Sequence, residues 1–222
     1  MKKIFLLLGL LAISWSFSVD AYATLINRGT DSLGNRLIYD TSLNVTWYDF
    51  TNAGNRQATQ VNWASSLAVN FNGQTLTGWR LPNTLDGPVY PWGYDGTTTR
   101  GYNITSSELG HLYYIDLGNK SFYDTNGNPQ SSYGLVNTGD FIHLGTGNYW
   151  SGTIVSEYPL NAWYFNMNSG WQNIECKGCL SESYLAMAVR PGDVDPVPEP
   201  STFLLLFAGI VGFIVIRKMI MQ

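Results

Sequence analysis

The chain has few of the side chains on which most enzymes and metal proteins depend. It contains only two cysteines and two histidines among its 222 residues. A zinc centre needs more nitrogen or sulfur ligands than these, and His111 lies beside Leu112 in a predicted helix, which suggests a packing role. The order of residues matches no common serine, cysteine or zinc hydrolase motif. The sequence therefore predicts no enzyme activity, catalytic residue, metal ligand or cofactor site.

Basic side chains are also scarce, and several of them lie at the two ends of the chain. Lysine and arginine number 12 against 16 acidic residues, for a net charge of −4. The central part, without Lys2, Lys3, Arg217, Lys218 and Asp20, carries a net charge of −7. No basic cluster is visible, so nucleic acid, anionic lipid and sulfated polymers are disfavoured as partners, and neutral ones are favoured.

Long hydrophobic runs are absent from the centre of the chain, and the first of the two terminal runs predicts export. Two lysines precede an apolar run that ends at Trp15. Ala21-Tyr22-Ala23 then supplies the small-x-small pattern at which signal peptidase cuts. Residues 1–23 are therefore predicted to be a signal peptide, and the mature chain is predicted to begin at Thr24.

The C-terminal end combines Pro198-Glu199-Pro200, an apolar run over Phe203–Ile216 and two basic residues. This layout over residues 196–222 resembles the PEP-CTERM sorting signal. The resemblance implies recognition by an exosortase-type membrane protease and delivery to the cell surface or extracellular matrix of a Gram-negative-type bacterium. Fourteen helical residues reach about 21 Å against a hydrocarbon core of about 30 Å. A transient inner-membrane anchor is expected, and a short permanent anchor is the alternative.

Residues 24–195 are long enough for one domain, and their composition predicts a β-rich α+β fold with two short helices. The first helix is predicted from Thr59 as N-cap, with Val61, Ala64 and Leu67 at helical spacing. The second is predicted from the capping-box spacing of Thr105 and Glu108. The predicted strands are Arg36–Asp40, Val45–Tyr48, Gly78–Leu81, Tyr149–Thr153, Ala162–Asn168 and Leu185–Arg190. Asn168-Ser169-Gly170 predicts a hairpin turn.

Six blocks of this domain resemble, in order, those of the Lcl C-terminal domain family. The blocks are Arg36–Asp40, Asn44–Trp47, Trp79-Arg80-Leu81-Pro82, Tyr149–Thr153, Ala162–Asn166 and Val189–Pro191. The Trp-Arg-Leu-Pro block also resembles one in C-type-lectin-like folds. The resemblance implies a C-type-lectin-like domain that acts as a non-catalytic binding or adhesion module. Arg80, which lies between two large apolar residues, is expected to form a fixed ion pair or carbonyl contacts inside the fold and not a ligand contact.

The chain departs from the family pattern through an inserted segment, Asn83–Ile104, which is rich in Tyr, Trp, Pro and Gly. We expect this segment to be a long surface loop whose Trp92 and Tyr94 contact a ligand, for which an extracellular neutral polysaccharide is the candidate. The alternative is that Trp92 folds back as a lid over the core and is almost completely buried.

Cys176 and Cys179 are predicted to form a disulfide, since the chain is exported and has no other cysteine. At the level of function, two alternatives to a binding module remain open. One is a structural matrix component without a specific ligand, and the other is an uncharacterised hydrolase.

Overall fold

The computed structural model describes residues 25–179 and 183–194. The predicted cleavage site at Ala21, Ala23 and Thr24, the Pro198-Glu199-Pro200 motif and the apolar run Phe203–Ile216 lie outside the described residues. Within the described part of the chain, no helix is both long enough and apolar enough to cross a membrane.

Nine strands form the framework of the described residues. They are β1 (Leu25–Thr30), β2 (Arg36–Asp40), β3 (Val45–Asn55), β4 (Val69–Phe71), β5 (Gln74–Leu76), β6 (Asn148–Ile154), β7 (Asn161–Asn166), β8 (Trp171–Cys176) and β9 (Tyr184–Pro191). Seven of them form a sheet in the order β1-β2-β3-β9-β6-β7-β8, and β4 and β5 form a separate hairpin. The sheet is mixed, because β6 runs parallel to β9 while the other neighbours are antiparallel.

Two short helices accompany the sheet. They are α1 (Gln57–Ser66) and α2 (Glu108–His111), and α2 continues directly into a π-helical segment, Leu112–Asp116. The structure is therefore β-rich with two short helices, as predicted.

Both faces of the large sheet are buried, because apolar residues alternate between two hydrophobic cores along the central strands. The core under α1 contains Leu37, Tyr48, Trp150, Tyr164 and Ala188. The core under α2 and the π-helical segment contains Ile38, Trp47, Tyr149, Phe165 and Val189. Each residue of the first set is the chain neighbour of one in the second. A strand buried on both faces needs a continuous apolar run, which explains the sequence Ala-Trp-Tyr-Phe in β7.

Five of the six predicted strands are present, and one is not. The segment Gly78–Leu81 does not form a strand, and only Arg80 pairs with Val189, through hydrogen bonds of 2.9 Å in both directions. Gly78 has a positive φ of 78°, and Pro82 has no N–H to donate. The chain therefore touches the sheet at one residue and leaves it. The hairpin turn before β8 is confirmed, with Gly170 at a φ of 69°.

The first helix begins earlier than predicted, so Thr59 is not its N-cap. α1 starts at Gln57, with Arg56 in the N-cap position. The reason is that amide side chains attach this helix to the sheet. Gln57 Nε2 donates to the backbone oxygen of Ser151 at 3.2 Å, and Gln60 Nε2 donates to that of Ala53 at 2.7 Å. The prediction used only the spacing of hydrophobic residues, which carries no information about these buried polar contacts.

The capping box predicted at Thr105 is also wrong, because Ser107 caps α2 and Glu108 serves another purpose. Ser107 Oγ accepts a hydrogen bond from the amide of Gly110 at 3.0 Å. Both oxygens of Glu108 pair with the guanidinium of Arg80, each at 2.7 Å, and Oε2 also accepts from the amide of Asn83 at 2.6 Å. The interpretation of Arg80 as part of a fixed ion pair is confirmed.

The disulfide between Cys176 and Cys179 is present and closes a small loop at the end of β8. The same loop is held by backbone hydrogen bonds. Lys177 donates to Leu160 at 3.1 Å and accepts from Gln57 at 3.3 Å. A loop this short contributes roughly 2 kcal/mol in the chain-entropy account of disulfides. The bond therefore fixes the loop and leaves the sheet to be held by its own core.

Candidate functional site

The inserted segment Asn83–Ile104 lies along β8, the last strand of the sheet. Gly101 and Gln172 exchange two backbone hydrogen bonds, of 3.0 and 2.8 Å, so the segment occupies part of this edge. Gly101 has a φ of 140°, and a Cβ there would lie 2.0 Å from the backbone oxygen of Gly93. Only glycine at position 101 allows the backbone there to approach the backbone at Gly93 so closely.

Buried contacts fix the beginning of the inserted segment to the sheet. Val89 is fully buried against Val155 and Trp163. The indole N–H of Trp163 donates to Asp86 Oδ1 at 2.9 Å, and the amide of Ser156 donates to Asp86 Oδ2 at 3.2 Å. Burial acts to raise the pKa of Asp86, but these hydrogen bonds outweigh it and hold the pKa below its ordinary value. The segment is the long loop that was predicted, but it is only in part a surface loop.

Five aromatic rings form a cluster where the inserted segment meets β8. The aromatic cluster consists of Trp92, Tyr94, Tyr102, Tyr123 and Trp171, with centroid distances of 4.6 to 6.1 Å between its neighbouring rings. Burial, and then the neighbouring tyrosines, raise the pKa of Tyr102 to about 12. The Tyr102 phenol is therefore partly shielded from water within the cluster.

The two sequence-predicted contact residues occupy different positions in the aromatic cluster. Trp92 packs edge-on against Trp171 and is 40 % exposed. The almost complete burial expected of a lid is therefore not found. Tyr94 is half-buried, and its ring stacks parallel to Tyr102 at 6.1 Å. A Cβ at Gly127 would lie 3.0 Å from the Tyr94 ring, so this ring is enclosed on another side as well.

Two shallow depressions adjoin the inserted segment and share the ring of Tyr90, which is 64 % exposed. The larger one has a volume of about 310 Å³ and is lined by Val89, Tyr90, Arg100, Tyr158, Asn161 and Ile174. The smaller one has a volume of about 210 Å³ and is lined by Pro88, Tyr90, Pro91 and Thr97 to Thr99. The larger depression has the size of a small-ligand site and combines aromatic, apolar and polar groups.

Arg100 is the one cationic side chain that lines the larger depression, and two contacts hold it in place. The guanidinium carbon of Arg100 lies 5.1 Å from the centroid of the Tyr90 ring, within the range of a cation–π contact. Arg100 Nε donates to Asn173 Oδ1 at 2.6 Å. Arg100 therefore supports Tyr90 from one side while part of its guanidinium faces the depression. Tyr158, which is 46 % exposed, lines the same depression.

Sequence reasoning missed Tyr90, Arg100 and Tyr158 as candidates. Tyr90 lies in the inserted segment and could have been found by extending the search for aromatic residues there. Tyr158 and Asn161 lie between β6 and β7 and at the start of β7, more than fifty residues away in the chain. Nothing local in the sequence connects them to the insertion, and only the pairing of the segment with the sheet brings them together.

Comparison with known proteins adds one finding, in the C-terminal residues. The model of the PEP-CTERM protein-sorting motif matches residues 196–218. The chain carries an exosortase sorting signal. It is therefore an exported protein that is processed by exosortase, a membrane enzyme. No curated protein and no solved structure is detectably similar to the chain.

This sorting signal, with the predicted signal peptide, gives a testable expectation for processing. The mature protein should begin at Thr24 and lack Phe203–Gln222, because each terminal apolar run is short for a permanent span. Intact-mass analysis of the protein from cells with active exosortase checks both ends. Cells without exosortase serve as the control and should retain the C-terminal run. A species from exosortase-positive cells that begins at Met1 or retains this run would contradict the expectation.

Proposed function

We propose that the protein is a cell-surface or extracellular-matrix binding module of a Gram-negative-type bacterium, and that it holds a neutral glycan at the larger depression beside Tyr90. The proposal includes a C-type-lectin-like domain of the Lcl C-terminal type and no catalytic step. The sorting signal supports the location, since sorted proteins of this kind leave the cytoplasm.

The arrangement of the sheet supports the proposed domain type. Five of the six family-like blocks lie in β2, β3, β6, β7 and β9, which are neighbours in the sheet. The sixth, Trp79–Pro82, meets the sheet through the pair of Arg80 with Val189. The blocks therefore form one continuous structural unit, as expected if they are the common framework of a family and the inserted segment is an addition to it.

The observation that carries the proposed ligand class is the pair of exposed tyrosines at the larger depression. Tyr90 and Tyr158 are 64 % and 46 % exposed, although phenol rings gain free energy from burial. Sugar rings present apolar C–H faces with hydroxyl groups at their edges. Tyrosine rings can stack on the apolar faces, while Arg100 and Asn161 can form hydrogen bonds with the hydroxyl groups. Trp92 and Tyr94 line neither depression and contact each other and Trp171 or Tyr102 in the aromatic cluster.

The charge of the domain favours a neutral glycan over a sulfated one. The net charge of −7 outside the terminal signals repels polyanions. The guanidinium of Arg100 is already shared with Asn173 and the Tyr90 ring, so a single cation does not create a basic patch. Binding should therefore depend on ring contacts and hydrogen bonds more than on charge.

The experiment is a screen of neutral, acidic and sulfated polysaccharides against the full chain in mild detergent, followed by two variants. Tyr90→Ala and Tyr158→Ala should each weaken the binding of the selected neutral glycan about tenfold, because each removes one stacking ring worth roughly 1.4 kcal/mol. Calorimetric titration measures the affinity. The melting temperature should stay within a few degrees, since both rings are exposed.

Tyr133→Ala is the matched control, because Tyr133 is 42 % exposed and lines neither depression. It should leave the affinity unchanged. Equal losses in all three variants would place the ligand elsewhere. If no neutral glycan binds, the domain is a matrix component without this ligand, and the proposal fails.

A further inference from the structure

A second group of polar side chains lies where the turn after β2 meets the π-helical segment. The cation cluster, as we name it, consists of Asp40, His111 and Asp116, whose donor atoms all lie within 4.8 Å of one another. His111 Nε2 is 3.6 Å from Asp116 Oδ1 and 2.8 Å from Ser42 Oγ. Two carboxylates and one imidazole thus converge, and none of them lines the depression that is proposed to bind the glycan.

Asp116 is the most unusual member of the cation cluster. Its side chain is 0 % exposed, and among the described residues neither of its carboxylate oxygens has a hydrogen-bond partner. Burying a carboxyl group without partners is costly, so such a group in a folded protein points to an interaction that compensates it.

Asp40 is the neighbouring carboxylate, and it is also buried and acidic. Asp40 is 0 % exposed, and its Oδ1 accepts from the amides of Ser42 and Leu43 at 3.0 Å and from the Ser42 hydroxyl at 2.7 Å. Its Oδ2 has only a long contact of 3.4 Å with the Trp47 indole. No lysine or arginine of the described residues pairs with either carboxylate.

The π-helical segment is what brings His111 and Asp116 together. These residues are five apart, and in an α-helix with 3.6 residues per turn their side chains would point in clearly different directions. In the segment Leu112–Asp116 the amide of Leu117 donates to the oxygen of Leu112, a bond that spans five residues. One widened turn therefore places both side chains on one face. Single π-helical turns occur frequently at functional sites.

We propose that Asp40, His111 and Asp116 bind a divalent transition-metal cation of the zinc class, with the hydroxyl of Ser42 or a water as the fourth ligand. A cation neutralises two buried carboxylates at once and supplies the partner that Asp116 lacks. Only a small inward movement of the side chains is needed to bring donors 4.8 Å apart to zinc, whose bonds to nitrogen and oxygen are about 2.0–2.2 Å.

The mixed donor set decides between cation classes. Calcium and magnesium prefer six or more oxygen ligands, and an imidazole is a poor choice for either. Zinc accepts imidazole nitrogen together with carboxylate oxygen in a four-coordinate site. His111 is 19 % exposed in its side chain, so a cation can reach the site from solvent. A bound ion would fasten the turn between β2 and β3 to the helical segment across the second hydrophobic core.

The test is calorimetric titration of the metal-free full chain, in mild detergent and without reductant, with zinc chloride at neutral pH. One zinc per chain should bind with micromolar or tighter affinity. His111→Gln and Asp116→Asn should each weaken it at least tenfold. Asn at position 116 keeps the shape of the side chain and places no charge in the buried site, so this variant should remain folded, as judged by near-ultraviolet circular dichroism.

The matched control is His143→Gln, which changes the only other histidine of the chain. His143 Nδ1 contacts the backbone oxygen of Asp49 at 2.8 Å and is no part of the cation cluster, so zinc affinity should be unchanged. The disulfide removes both cysteines as ligands. The proposal is overturned if the wild type takes up no zinc at 1 mM, if the His143 variant alone loses it, or if folded His111 and Asp116 variants bind as the wild type does.

Discussion

Glu108→Ala is expected to lower the free energy of unfolding by about 3 kcal/mol, or about 10 °C in melting temperature. Glu108 is 15 % exposed in its side chain and holds Arg80 by two hydrogen bonds of 2.7 Å. It also accepts the amide of Asn83, where the inserted segment begins. Alanine would leave the guanidinium of Arg80 with only the backbone oxygen of Leu81 as acceptor, and the amide of Asn83 without its side-chain acceptor. Both changes fall where the Trp-Arg-Leu-Pro block, α2 and the segment meet.

Thermal and urea unfolding of the variant measure this effect. Asp140→Ala is the control, because Asp140 is an exposed acid, and it should change stability by less than about 0.5 kcal/mol. Glu108→Gln should lie in between, since glutamine keeps one acceptor oxygen. A Glu108→Ala variant as stable as the control would show that Arg80 and Asn83 find other partners, and that this ion pair does not organise the junction.

Gly101→Ala is expected to detach the inserted segment from β8 and to weaken glycan binding at least tenfold. The new Cβ would lie 2.0 Å from the backbone oxygen of Gly93 and 2.9 Å from its carbon and nitrogen. Backbone atoms cannot rotate away as a flexible side chain can, and the φ of 140° adds strain for any residue with a Cβ. The combined penalty is about 2–3 kcal/mol, and the paired residues must separate to relieve it.

Amide hydrogen exchange locates this change, because the amide of Gln172 donates to Gly101 at 2.8 Å and should lose at least tenfold of its protection. Gly178→Ala is the matched control. A Cβ at Gly178 meets nothing within 4 Å, so protection and binding should stay as they are. Retained protection of Gln172 in the Gly101 variant would mean that the segment adapts without leaving the edge.

The framework of the fold was predictable because it depends on local patterns. A strand whose residues point alternately into two hydrophobic cores needs a continuous apolar run. Such runs are visible in the sequences of β2, β7 and β9. The first helix was found only approximately, since Gln57 and Gln60 contact the sheet through amide groups. The predicted strand at Trp79 was wrong because Trp79 and Leu81, which flank the single bridging residue Arg80, give the same apolar alternation as a strand.

The candidate sites depend on contacts between distant parts of the chain and were less predictable. Trp92 stood out in the sequence because of the composition of its segment, whereas Tyr158 meets Tyr90 and Arg100 only through the folding of the chain. Asp116 and His111 face each other because one helical turn is widened, and the apolar spacing of that region predicts an ordinary α-helix. No residue type marks such a turn in advance.

The most direct test of the account is a hydrogen-exchange footprint of the wild-type chain, saturated with the neutral glycan that the screen selects. We expect slower exchange in the inserted segment at 86–102, in the turn between β6 and β7 at 155–161 and around Ile174 of β8, and in no other region. The amide of Val89, which donates to Glu157 at 3.2 Å and so connects the first two regions, should be among the protected groups. Protection confined to other strands, or no change at saturation, would contradict the claim that this surface is the ligand site.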